Sequence, residues 1–78
     1  MKIVGIFNNK EEQIGFKLAG IETNFIEQKE ELSNLLDKIN KDKTIGILVI
    51  NDGIYKMMPE EFNKLKLKKS PLIINVNK

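Results

Sequence analysis

Two apolar runs, Ile3 to Phe7 and Ile45 to Ile50, are broken only by Gly5 and Gly46 and are otherwise built from Ile, Val, Leu and Phe. A run without polar alternation suits a strand buried on both faces, which is the condition of a central strand in a parallel sheet. Two weaker runs accompany them. Ile21-Glu22-Thr23-Asn24-Phe25-Ile26 mixes polar and apolar positions and is expected at a sheet edge. Pro71-Leu72-Ile73-Ile74-Asn75-Val76 opens on a proline, which a strand tolerates at its first residue.

Segments of helical period separate these runs. The first spans about Lys10 to Ala19, with Asn9 as N-cap and Glu12 three residues on in a capping-box pattern, and with Ile14 and Leu18 stacked on its inward face. Its two glycines cost about 0.5 to 1 kcal/mol each relative to alanine in a helix interior. Close approach of a packed neighbour would explain Gly15, and a left-handed helix terminus would explain Gly20. The second, about Gln28 to Asn40, sets Leu32, Leu35, Leu36 and Ile39 in one narrow stripe. A third starts at a cap formed by Asn51 or Asp52, turns Ile54, Met57 and Met58 to one side, and stops at Pro59. Pro59-Glu60-Glu61 then reads as the first turn of another helix, with Phe62 and Leu65 facing inward.

The alternation of strands and helices predicts an α/β fold: a four-stranded parallel sheet of order 2-1-3-4 with helices on both faces, a small Rossmann-like or receiver-like domain. Seventy-eight residues make a single domain, residues 1–78. A core of this size supplies only about 3 to 5 kcal/mol, so such chains lean on disulfides, metals or partners. The sequence has no Cys and no His, which leaves a partner as the available support. Thirteen lysines against eleven acids give a net charge of +2, too small to imply nucleic acid or an anionic membrane, and no apolar run approaches the roughly 20 residues of a membrane span.

In a doubly wound sheet a ligand sits beyond the carboxyl ends of the strands, here between Asn8-Asn9 and Asn51-Asp52. No G-x-G-x-x-G follows the first strand, and no Walker-type Gly-Lys-Ser occurs, so no nucleotide cofactor is expected. Asp52 stands near the position of a receiver phosphoacceptor, but the acidic pair that would hold Mg²⁺ after the first strand is replaced by the neutral Asn8 and Asn9. A receiver-like signalling or protein-interaction domain is the alternative reading, and capping is the structural reading of Asp52. Ser33 and Ser70 have no histidine to activate them. The pairs Glu11-Glu12, Glu30-Glu31 and Glu60-Glu61 lie at helix starts, where the helix dipole accounts for them. Lys64 to Lys69 lacks interleaved aromatics and reads as a solvated face. No catalytic, cofactor-binding or metal-ligating residue is therefore assigned.

Phe16 falls off the arc of Ile14, Gly15, Leu18 and Ala19, and is expected either to pack over the sheet end near Ile21 or to overhang the core; Tyr55 falls off the stripe of Ile54, Met57 and Met58. With Lys17 they are the expected partner interface. The segment Gly15-Phe16-Lys17-Leu18-Ala19-Gly20-Ile21, read with the strand before it, resembles the amino-terminal "GFRLAG" region of the F subunit of V-type (A-type) rotary ATPases, with Lys17 where that family often has Arg. The resemblance covers Met1 to Ile21 well and the later strands more loosely. It implies a non-catalytic, cytoplasmic central-stalk component, peripheral to the membrane, that binds the coiled-coil D subunit of the stalk beneath the catalytic headpiece and couples ATP hydrolysis or synthesis to ion translocation. Many members continue past the fourth strand into a further helix, whereas this sequence ends at Val76-Asn77-Lys78.

Overall fold

The computed structural model describes residues 1–77. Its elements follow in the order β1 (Lys2–Phe7), α1 (Lys10–Leu18), β2 (Glu22–Phe25), α2 (Lys29–Lys41), β3 (Ile45–Ile50), α3 (Asp52–Met57), α4 (Pro59–Lys66) and β4 (Leu72–Asn75). All strand pairs are parallel, and the sheet order is β2-β1-β3-β4, as the alternation of elements predicts.

The two faces of the sheet are covered unequally. Even-numbered residues of the central strands, Val4, Ile6, Leu48 and Ile50, join Leu32, Leu36 and Ile39 of α2, Ile54 of α3, and Phe62 and Leu65 of α4 in one buried cluster. The stripe read on the second helix is the one that buries, with Leu35 packed at its margin. Each fully buried side chain of this size contributes about 1.5 to 3 kcal/mol relative to exposure, so three helices on this face supply most of the core.

The opposite face carries α1 alone, lying over β1 and β2. Gly5 matters here. A Cβ on Gly5 would come within 2.6 Å of the Phe7 ring, which lies back over the strand in the space a side chain would fill. Phe16 stacks on Phe7 with ring centroids 5.0 Å apart and planes 13° from parallel. Gln13 Nε2 donates to Thr23 Oγ1 at 3.3 Å, and Lys10 Nζ lies 5.2 Å from the centre of the Phe25 ring, so the same flank of α1 is tied to β2.

This anchoring corrects the expected orientation of α1. Ile14 and Leu18 do not face the sheet; they are 53% and 83% exposed. With about 100° per residue, a helix that sets Phe16 down on the sheet turns positions 14 and 18 nearly opposite to it. Nor does a packed neighbour account for Gly15, since a Cβ there would meet nothing within 4 Å. Gly20 behaves as expected: its φ is +89°, and Ile21 N–H donates to Phe16 C=O at 3.2 Å while Gly20 N–H donates to Lys17 C=O at 3.0 Å. These two bonds are a Schellman terminus.

Toward α1 the central strands are buried only in part: Phe7 and Val49 are covered, whereas Ile3 is 37% exposed. On the α1 face, Ile3, Ile47 and Leu72 lie side by side in register, with Val49 and Ile74 in the next row. Leu72 is 57% exposed and Ile74 41%, because α1 reaches no farther than β1 and β2.

At the turn into β3, Asp42 accepts from Thr44 Oγ1 at 2.6 Å and Thr44 N–H at 2.9 Å, and pairs with Lys2 Nζ at 3.3 Å. The Thr44 bonds, aided by the Lys2 charge, hold the Asp42 carboxyl below its ordinary 3.8. A depressed carboxylate stabilises the fold above its unfolded-state value and loses that contribution as pH falls through the folded value. Thr44→Val is expected to move the Asp42 titration upward, read by carboxyl NMR chemical shifts. Gly15→Ala is expected to stabilise the chain by about 0.5 to 1 kcal/mol, and Gly20→Ala to destabilise it by about 1 kcal/mol, in urea unfolding.

Candidate functional site

The carboxyl ends of β1, β3 and β4 converge where a doubly wound sheet holds a ligand. The chain's own side chains occupy this place. Asn51, 3% exposed at the end of β3, accepts from Ile54 N–H at 3.1 Å and thereby caps α3. Its Nδ2 donates to Asn8 Oδ1 at 2.7 Å and to Glu12 Oε1 at 3.2 Å. Of the two residues expected to cap the third helix, Asn51 does so. Asp52 is the first helical residue, where its carboxylate pairs with Lys56 at 3.1 Å and accepts from Asn75 Nδ2 at 3.3 Å.

The segment after β4 closes the cluster. Val76 N–H donates to Ile50 C=O at 2.9 Å, extending the pairing beyond β4. Asn77 then accepts from Asp52 N–H at 2.7 Å and donates through Nδ2 to Glu12 Oε2 at 3.1 Å. Gly53 makes the approach possible, because a Cβ there would run into the Asn8 side-chain amide. Asn9 caps α1 by accepting from Glu12 N–H at 3.1 Å, but the Glu12 carboxylate reaches across to Asn51 and Asn77 where the capping-box pattern would turn it back. The reciprocal bond is found on α2, where Glu31 accepts from Gln28 N–H at 3.0 Å.

Chemically this is a set of amides bridging two carboxylates. Among the described residues, every buried side-chain polar atom has a partner, and no group of three or more His, Cys, Asp or Glu residues is placed to hold a metal ion. A receiver site would place its acidic pair where Asn8 and Asn9 stand; Asn8 instead accepts from the Asn51 amide, and Asn9 caps α1. Sequence reasoning misses Glu12, Asn75 and Asn77 as members of this cluster, and the signal available is the recurrence of asparagine at the ends of three strands.

The expected interface residues lie apart. Phe16 faces the sheet, half-buried over Phe7 at the carboxyl end of β1, and Lys17 is exposed in the last turn of α1. Half-buried Tyr55 donates through its hydroxyl to Asn63 Oδ1 at 2.9 Å, packs 6.3 Å from the Phe62 ring, and has Lys66 Nζ 5.1 Å from its centre. Tyr55 thus sits between α3 and α4, on the face of the sheet opposite α1. No helix among the described residues is long and apolar enough to cross a membrane.

A parallel sheet of this order, with its switch point sealed by amides, defines a small α/β domain of Rossmann-like type. Residues 4–78 match the family described as ATP synthase (F/14-kDa) subunit, and the chain belongs to that family. It is 32% identical over 57 residues to the F subunit of the A-type ATP synthase of Methanococcoides burtonii, covering 73% of this chain and 58% of that protein. The protein of the same name from Methanothrix thermoacetophila is 33% identical over 58 residues, with 73% and 59% covered. That of Methanocorpusculum labreanum is 33% identical over 57 residues, with 72% and 57% covered. The matched region thus spans under three fifths of the length of these curated relatives.

Asn51→Ala removes a helix cap and leaves Asn8 and Glu12 without their shared donor. A loss of about 2 kcal/mol is expected in denaturant unfolding, with the α3 amides exchanging faster with solvent.

Proposed function

We propose that the chain serves as the central-stalk F subunit of a V-type (A-type) rotary ATPase. In this reading it is a non-catalytic part of the rotor that binds the coiled-coil D subunit of the stalk below the catalytic headpiece and couples ATP hydrolysis or synthesis to ion translocation. It works in the cytoplasm, peripheral to the membrane, as one member of the complex. Membership in the ATP synthase subunit family carries the reading. The amide-filled switch point supports it, because the place where a fold of this type holds a cofactor is spent on tying β1, β3 and β4 to one another. A part that transmits torque needs a stiff body, and this network supplies stiffness where the loops converge.

The interface residues enter this proposal with separate roles. Lys17 is available to an acidic partner surface, while Phe16 holds α1 in place on one face of the sheet and Tyr55 holds the α3–α4 pair together on the other. Phe16→Ala is expected to cost about 2 kcal/mol of stability through loss of the stack on Phe7. Lys17→Ala is expected to leave the unfolding midpoint unchanged and to weaken docking by a few fold.

The deciding experiment is coexpression with the coiled-coil stalk protein encoded in the same genome. Stable co-elution in size-exclusion chromatography is the expected result, with an interface of about 1,000 Å² or more. A chain that elutes alone at micromolar concentration, or that hydrolyses ATP by itself, overturns the reading.

A further inference from the structure

A net charge of +2 conceals a strong separation of charge. The four strands are parallel, so their amino ends lie together, and α1, α2 and α4 each return the chain from the carboxyl end of the sheet to the amino end. Each of these three helices opens on acidic residues and closes on lysine. The carboxyl end is therefore acidic and the amino end basic. The loops extend the asymmetry: Lys43 leads into β3, and Lys68 and Lys69 lead into β4.

Several lysines at this end lack an acidic partner. Lys2 pairs with Asp42, and Lys66 lies over the Tyr55 ring, but Lys41, Lys43, Lys68 and Lys69 are exposed and form no ion pair with a described residue. Two of them meet. Between the end of α2 and the segment before β4 lies a hollow of about 240 Å³ bordered by Asn40, Lys43, Lys68 and Ser70. Asp42 also borders it, with its carboxylate already engaged by Thr44 and Lys2. Like charges gathered at one end repel one another, and an anionic surface laid against them removes that repulsion.

The same end carries apolar tips. The three most exposed large hydrophobic side chains among the described residues are Met1 at 92%, Leu67 at 88% and Leu18 at 83%. One precedes β1, one follows α4 and one ends α1, so all three stand at the amino end of the sheet. Lys68 N–H donates to Leu65 C=O at 3.0 Å, which carries the last turn of α4 past Leu67. A lysine patch that served only solubility would have no use for apolar tips, whereas amines surrounding apolar side chains bind a bilayer surface by headgroup attraction and shallow burial together. Nucleic acid fits less well, since none of the chain's aromatic side chains is fully exposed to stack on bases and no helix presents a recognition pattern to a groove.

We propose that the amino end of the sheet is a docking surface for an anionic lipid bilayer. Lys41, Lys43, Lys68 and Lys69 lie against the headgroups, a lipid phosphate enters the hollow between Lys43 and Lys68, and Leu67 and Met1 dip into the interface. The acidic carboxyl end then faces away from the bilayer, so the charge separation also orients the body. This surface stands independently of the rotor reading, and its test uses no stalk protein.

The test is cosedimentation of the chain with vesicles of equal parts phosphatidylglycerol and phosphatidylcholine at low ionic strength, with unfolding midpoints recorded in parallel. The wild-type chain is expected to sediment with these vesicles, to be released as salt is raised, and to ignore vesicles of phosphatidylcholine alone. Lys68→Gln/Lys69→Gln is expected to weaken binding roughly tenfold or more. Lys29→Gln/Lys56→Gln makes the same change in net charge at the other end and is expected to bind as wild type. Leu67→Gln keeps the charge and is expected to weaken binding about threefold without a lowered midpoint. A wild-type chain that stays in the supernatant overturns the proposal, as does equal weakening by the two lysine pairs, which makes net charge alone responsible. Release by inorganic phosphate but not by sodium chloride of equal ionic strength assigns the hollow to a free anion and overturns the bilayer as its occupant. Tighter binding of duplex DNA than of vesicles through Lys68 and Lys69 assigns the end to nucleic acid and overturns it as well. Each of these outcomes leaves the rotor reading to its own experiment.

Discussion

Parallel pairing of β1 with β3 is the constraint on which the other features depend. Parallel neighbours require long crossovers, so every connection in this short chain must carry a helix, and each helix must find a place on one face or the other. With β2 outside β1 and β4 outside β3, right-handed crossovers put α1 alone on one face and α2, α3 and α4 on the other. The dense cluster around Ile6, Leu48 and Phe62 and the open row of Ile3, Ile47 and Leu72 are two results of the same topology.

The unequal faces are stabilised by different means. Toward α2 and α4 the contribution is aliphatic burial, interchangeable among Leu, Ile and Val provided volume is kept. Toward α1 it is a specific stack, Phe16 on Phe7 over the bare backbone of Gly5, supplemented by one side-chain hydrogen bond to β2. The carboxyl end adds a third means, the amide network from Asn8 to Asn77, which holds three strand ends without apolar contact. Aliphatic packing, aromatic stacking and polar closure each occupy a region where the others are scarce.

Much of this is legible in the sequence, and the exceptions have physical causes. Strand identities, sheet order and the α2 stripe follow from periodicity because burial on that side is generic. The orientation of α1 does not. Its apolar periodicity selects Ile14 and Leu18, but the helix is rotated by a single aromatic pair whose partner lies in another element, and no local pattern encodes a contact between positions 7 and 16. The signal available is Gly5 two residues before Phe7, the spacing at which a ring can lie back over its own strand. The polar cluster is half legible: Asn8, Asn9, Asn51 and Asp52 mark the switch point by topology, whereas Glu12 and Asn77 join it through side chains whose reach only the three-dimensional arrangement reveals.

The Gly5, Phe7 and Phe16 arrangement also bears on how such a chain can diverge. A methyl group at position 5 displaces the ring at 7, and a displaced ring no longer supports the one at 16, so none of the three can be exchanged alone without unseating α1. Inheritance should therefore treat them as one unit: lineages that keep the bare glycine keep both rings, and lineages that fill it rebuild all three positions together.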